Sequence, residues 1–198
     1  LDKSACDPAN ITLEDLSDMR KMMGRWFEGL ASPNAENHTC IIHEYRMLQQ
    51  TYISQQSPNY TIGFEMVKTY REGGRRMRKG DREWADYNAR STDGSGSAFI
   101  TLYDHWYQEV EEFWIYKIGP EAVDPYGRQQ YEYAIVSNCA KWPVRVLVRS
   151  LQEFKDKYKE EILRWLDNNG FDTRAPLIQQ DYSSCHFTDS VTPHTGQH

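Results

Sequence analysis

Met23-Gly24-Arg25-Trp26-Phe27-Glu28-Gly29 is the stretch from which the rest of the chain can be ordered. The texture of the sequence changes there. Residues 1–23 read as an irregular arm ending in a short helical turn, with Thr12 as a plausible N-cap and Asp15 in an acidic first turn before Leu16 and Met19. From Gly24 to Arg149 short β-prone runs alternate with turn signals. The runs are 24–31, 41–53, 60–71, 75–88, 97–105, 111–118, 130–138 and 143–149. Turn chemistry fills the breaks: Ser32-Pro33-Asn34, Ser57-Pro58-Asn59, Asp93-Gly94-Ser95-Gly96, Gly119-Pro120 and Pro125-Tyr126-Gly127. Gly73-Gly74, lodged between two runs, is a two-residue hairpin signal. Consecutive strands with mostly short links predict an up-and-down barrel or a sandwich.

One helix follows the strands. Leu151, Phe154, Tyr158, Ile162, Trp165 and Leu166 recur at three- and four-residue steps, which predicts a helix from Leu151 to about Asn169 with a single apolar stripe. Lys155, Lys157, Lys159, Glu160 and Arg164 fill the other face, and Gly170 is a ready stop. The stripe is expected to dock on the outside of the sheet. Residues 175–180 read as a last short strand. The expected organisation is one domain, 1–185, and a flexible C-terminal tail, 186–198.

Composition narrows the function classes. With 39% hydrophobic residues and a mean hydropathy of -0.80 the chain is polar, yet 13% of it is aromatic, which argues against disorder. That balance suits thin antiparallel strands with one wet and one covered face. A net charge of -6 gives no basic footprint for nucleic acid. The cluster from Arg71 to Arg82 is broken by Glu72, Gly73, Gly74 and Asp81 and reads as a solvated hairpin face. There is no transmembrane run of 18 apolar residues. Cys6, Cys40, Cys139 and Cys185 are far apart and never form CxxC, so no metal site and no cofactor are expected. Their even number suggests two disulfides and leaves three connectivities open. Sequons at Asn10, Asn37 and Asn59 point, with the cysteines, to a secreted glycoprotein, and a start at Leu1 fits a processed chain.

Four places, in order, resemble the lipocalin family. Gly24-Arg25-Trp26 looks like its G-x-W motif, following a helical turn and opening the first strand. Tyr131 to Cys139 (YEYAIVSNC) resembles the strand ending in cysteine of the apolipoprotein D, bilin-binding and crustacyanin branch. Val146-Leu147-Val148-Arg149-Ser150 stands where the family's arginine precedes the helix, and Pro176 to Cys185 (PLIQQDYSSC) resembles that branch's closing segment. The resemblance spans about 6–185. It implies an all-β fold, an eight-stranded antiparallel barrel (calyx) with one C-terminal helix packed outside. It also implies the pairs Cys6–Cys139 and Cys40–Cys185, and Gly24, Trp26 and Arg149 as a structural motif at the closed end, the arginine lying across the indole. The family's T-D-Y motif is missing. Lys117-Ile118-Gly119-Pro120 and a long loop through Arg128 stand in its place, which puts in doubt any receptor contact made there.

The implied function is a secreted carrier that binds a hydrophobic small molecule, such as a fatty acid, retinoid, carotenoid, sterol or bilin. Strand alternation offers two faces per strand. His43, Tyr45 and Met47 form the expected inner set of the second strand, with Phe64 and Met66 on the third. Trp84, Tyr103, Trp114, Tyr116 and Tyr133 are further aromatic candidates for the ligand-binding face, and Arg145 a candidate for a carboxylate head group. Alternatives remain: a secreted interaction protein, a lipocalin-fold enzyme acting on a lipid, or an amine binder using Glu109, Glu111, Glu112 and Glu132. No catalytic residue is singled out, a cell-surface receptor is a candidate partner, and the sequence does not give the oligomeric state.

Overall fold

A computed structural model describes residues 19–33, 38–47, 61–72, 78–89, 98–103, 110–138, 140–171 and 176–185; within these, 61–63, 78–89, 98–103 and 110–113 are described by their backbone alone. A short 3-10 turn, Met19–Met22, leads into β1 (Gly24–Ala31). The long strands follow as β2 (His38–Met47), β3 (Thr61–Glu72), β4 (Arg78–Ala89), β5 (Ala98–Tyr103) and β6 (Val110–Ile118). A small hairpin, β7 (Glu121–Val123) with β8 (Gln129–Tyr131), precedes β9 (Tyr133–Ser137) and β10 (Arg145–Val148). The helix comes next as α1 (Leu151–Glu153), a wide π-helical turn over Phe154–Tyr158, and α2 (Lys159–Asn168). A short β11 (Ile178–Gln179) closes the described chain.

Hydrogen-bonded neighbours run β10-β9-β6-β5-β4-β3-β2-β1-β11, and β10 also pairs β1. All these pairings are antiparallel. Leaving β11 aside, eight strands therefore return on themselves as an up-and-down barrel with one helix outside. Closure removes the free edges that an open sheet exposes. β11 adds to β1 at Leu30 and Ala31, on the stretch beyond its pairing with β2.

The period-2 alternation divides the apolar residues into two cores. The inner one gathers Trp26, Tyr45, Phe64, Met66, Ile115, Val136 and Leu147 over Met19, Met22 and Met23 from the N-terminal turn. The outer one puts Phe27, Leu30, Ile42, Val146 and Val148 against Phe154, Ile162 and Leu166 of the helix. Gly29 makes this contact close. It sits where the β1–β10 register slips between Glu28 and Leu30, and a Cβ there would stand 3.1 Å from the Phe154 ring and from Val148. Ser150 caps the helix by accepting from the Glu153 amide at 3.2 Å.

One expectation changes here and another is met. The long loop expected after Gly119 contains the β7–β8 hairpin, whose turn is braced by Asp124: its Oδ1 accepts from the Tyr126 and Arg128 amides, and its Oδ2 from the Arg128 guanidinium. Cys40 and Cys185 form a disulfide across 145 residues of sequence. Cys6 and Cys139, the sequons at Asn10, Asn37 and Asn59, the Thr12 cap and the tail 186–198 lie outside the described residues.

Candidate functional site

Gly24 starts the barrel floor. Its φ of 98° is open to glycine at little cost and lets the chain swing from the 3-10 turn into β1. Two residues on, Trp26 is fully buried, and its indole N–H donates to the Met22 carbonyl at 2.8 Å. The Arg149 guanidinium lies 3.4 Å above the indole ring centroid. It donates to three carbonyls, Tyr131, Arg25 and Lys21, at 3.1, 2.9 and 3.0 Å. One side chain thus ties β8, β1 and the N-terminal turn together through fork geometry that a lysine lacks. Burial lowers its pKa to about 9, so it stays charged at neutral pH. Lys21 adds an ion pair with Glu121 of the hairpin at 2.7 Å, and Gln130 donates to the Met23 carbonyl at 2.9 Å. The floor is shut.

Above the floor the inner face is not apolar throughout. Trp26 fixes which β1 positions face inward, and Glu28 is next in that series. It is a buried carboxylate 2.8 Å from His43 Nε2, itself buried, and 3.5 Å from the Arg145 guanidinium. The register explains the meeting: His43 stands opposite Trp26, and Arg145 opposite Ala31 on the neighbouring strand. Lys68 lies opposite His43 on β3. Its ammonium is 3.3 Å from His38 Nδ1 and 5.3 Å from the centre of the Tyr70 ring, on which His38 stacks at 3.7 Å.

The charge states follow from this packing. Burial alone would raise the Glu28 carboxyl, but the His43 hydrogen bond and the charges of Arg145 and Lys68 hold it below the ordinary value. Burial pushes the His43 imidazole down. Glu28 pulls it back, Arg145 and Lys68 oppose that, and it stays below the ordinary histidine value. At neutral pH a carboxylate therefore accepts a hydrogen bond from a neutral imidazole, between two cations.

Of the residues expected to face a ligand, His43, Tyr45, Phe64 and Met66 lie on the inner face, Tyr45 and Phe64 with ring centroids 5.8 Å apart, and Arg145 reaches Glu28. Met47, opposite Phe64 in the register, ends that inward series, and the three aromatic placements that follow it are corrections. Met47 stands at the far end of β2, past the residues that pair with β1, and is 40% exposed. Trp114, Tyr116 and Tyr133 belong to the outer core: Tyr116 meets Phe171 edge-on, and the Tyr133 hydroxyl donates to Glu161 of the helix at 3.1 Å. The pleat turns them away from the interior, where aromatic character alone cannot distinguish the two faces. For Trp84 and Tyr103 only the backbone is described; they pair with each other, and Trp84 with Glu65, in the register series that alternates with Phe64 and Met66. Glu28, Lys68, His38 and Tyr70 were missed. Counting by twos from Trp26 finds Glu28, and from Phe64 finds Lys68 and Tyr70. A groove of about 420 Å³ lies outside the barrel between Gly29, Phe154, Lys155 and residues 179–183.

Residues 106–193 match the family model for the lipocalin domain, a span that takes in β6 to β11 and the helix. No curated protein matches the chain. Among the described residues no helix is long and apolar enough to cross a membrane.

Proposed function

We propose that the chain is a lipocalin-type carrier, secreted, which holds one hydrophobic small molecule inside the barrel. The closed eight-stranded barrel carries this reading, because a barrel of that strand number has an interior wide enough for one small guest. The match over residues 106–193 supports it independently. An inner face that combines Tyr45, Phe64 and Met66 with a few buried polar groups suits an apolar body whose orientation is set by hydrogen bonds. The Cys40–Cys185 disulfide supports an oxidising compartment and hence secretion. The domain is proposed to run from 1 to 185.

Native mass spectrometry of protein purified from its own source, followed by solvent extraction, tests this reading. A stoichiometric apolar adduct is expected. Protein that carries none, and whose tryptophan fluorescence is not quenched by retinol, a long-chain fatty acid, a sterol or a bilin, would overturn the carrier reading. Tyr45→Asp and Met66→Asp are expected to weaken whichever ligand binds, because each would set an unpaired carboxylate against the apolar guest.

A further inference from the structure

The β7–β8 hairpin has two edges, and only one of them is closed. Bonds at both ends of the hairpin set its ladder: the Asp124 amide donates to the Arg128 carbonyl at 2.8 Å, and the Glu132 amide to the Pro120 carbonyl at 2.9 Å. Between them Glu121 stands opposite Tyr131, Ala122 opposite Gln130 and Val123 opposite Gln129. Hydrogen-bonded pairs alternate along an antiparallel ladder, so Ala122 bonds inward and the backbone N–H and C=O of Glu121 and Val123 point away from β8. On the β8 side the matching outward carbonyl, that of Tyr131, accepts from the Arg149 guanidinium. On the β7 side, among the described residues, no strand pairs with the outward groups. The edge is open to solvent: Val123 is 65% exposed, and Tyr126 in the adjoining turn 54%. An unpaired edge of this kind is a template for another strand.

We propose that this edge pairs with the same edge of a second copy of the chain, β7 against β7 across a two-fold axis at Ala122. The pattern is self-complementary. With Glu121 opposite Val123 of the second copy, both outward N–H groups of each chain meet both outward carbonyls of the other, and the contact closes at two copies. Ala122 then faces Ala122 of the second copy, where its methyl group presents no obstacle. Charge does not oppose the approach, because the Glu121 carboxylate is held by Lys21 at 2.7 Å and that of Asp124 by Arg128 at 2.7 Å. An unrelated extended peptide is a poorer fit. Pro120 and Pro125 flank the strand, and Pro125 has no N–H to give, which keeps the ladder short. So short a ladder gains too little to offset the ordering of a flexible peptide, whereas in both copies β7 is already held in shape by the Asp124 brace.

The test is sedimentation velocity of the full chain between roughly 5 and 500 µM, the range in which so small a contact associates. The parent is expected to pass from one copy to two as concentration rises, with the amides of Glu121 and Val123 exchanging with deuterium more slowly at the upper end. V123P removes an outward N–H without touching a hairpin bond and should stay a single copy throughout. Two further variants read the register. Within the hairpin, position 123 faces the neutral Gln129, but in the pair it faces Glu121 of the second copy. V123E should therefore raise the half-association concentration about fivefold or more, because each like-charge pair occurs twice across the two-fold, whereas V123K should leave it unchanged or lower it. These two differ in the sign of one exposed charge, so they decide the matter even where V123P does not fold. A parent that stays a single copy at the highest concentration would overturn the proposal. So would a folded V123P that associates as the parent does, or V123E and V123K that associate equally, because a different surface would then be in use.

Discussion

At the scale of single residues, two side chains make claims that can be measured. Arg149 combines a stacked contact on Trp26 with donation to three carbonyls, so each half of the guanidinium does something an ammonium cannot. Arg149→Lys is expected to lower stability by about 2–4 kcal/mol, and Trp26→Ala by about 3–5 kcal/mol, in urea unfolding followed by circular dichroism. A lysine variant as stable as the parent would show that charge, not the fork, holds the floor. His43 makes a claim about pH. Its pKa is lowered on folding, so below about 6.5 the unfolded chain binds a proton that the folded one refuses, and stability falls as pH falls. The Glu28 contribution is present above about 4.5 and is lost on further acidification. His43→Gln should flatten the melting temperature between pH 6.5 and 5 relative to the parent; parallel curves would mean that His43 is not held neutral. This pair also shows what the sequence can tell about the site. Tyr45, Phe64 and Met66 were legible because alternation sorted them by polarity, whereas Glu28 reads as a solvated strand residue until Trp26 fixes the inward side. Trp114, Tyr116 and Tyr133 misled for the complementary reason: a helix-covered outer face is as aromatic as an interior.

At the scale of elements, the helix and the strands facing it were readable, because periods of 3.6 and 2 leave clear marks in apolar residues. Phe154, Ile162 and Leu166 are the buried part of the predicted stripe. The β7–β8 hairpin was not readable. Its strands are three residues each, too short to show a period, and Val123 and Tyr126 stand out in solvent at 65% and 54% exposure. Its shape comes from the Asp124 side chain, which accepts from the Tyr126 and Arg128 amides while pairing with the Arg128 guanidinium. The seating of the helix depends on Gly29, where an added methyl would press on Phe154 and Val148 together at 3.1 Å. Gly29→Ala is expected to cost about 1–3 kcal/mol by overpacking. Phe154→Leu should cost about 1 kcal/mol alone yet relieve part of the alanine's cost, so the double variant should be more stable than the two single losses predict. Strict additivity would mean that the methyl meets no resistance from the ring.

At the scale of the whole molecule, the barrel closes between β1 and β10, yet β1 also has to serve β11 and the C-terminal segment. Among the described residues that segment meets the barrel through backbone pairing, side-chain hydrogen bonds and ring packing. β11 pairs two residues of β1, and the Tyr182 hydroxyl accepts from the Glu28 amide at 3.0 Å while donating to the Ile41 carbonyl at 2.7 Å. Tyr182 thereby bridges β1 and β2 just past the last residue at which they pair, Phe27 with Ile42, and meets Phe27 edge-on. The Cys40–Cys185 disulfide lies three residues beyond Tyr182 and anchors the segment to the start of β2. A cross-link over 145 residues removes about 5 kcal/mol of chain entropy from the unfolded state in the loop-closure picture. Cys40→Ser with Cys185→Ser is therefore expected to lower the unfolding free energy by about 3–5 kcal/mol. Because Tyr182 touches the Glu28 backbone, the loss should also reach the inner cluster, and the amide of Glu28 should exchange with deuterium faster in the double variant than in the parent. A large fall in stability with unchanged protection at Glu28 would separate the two roles, leaving the disulfide as a constraint on the unfolded chain alone.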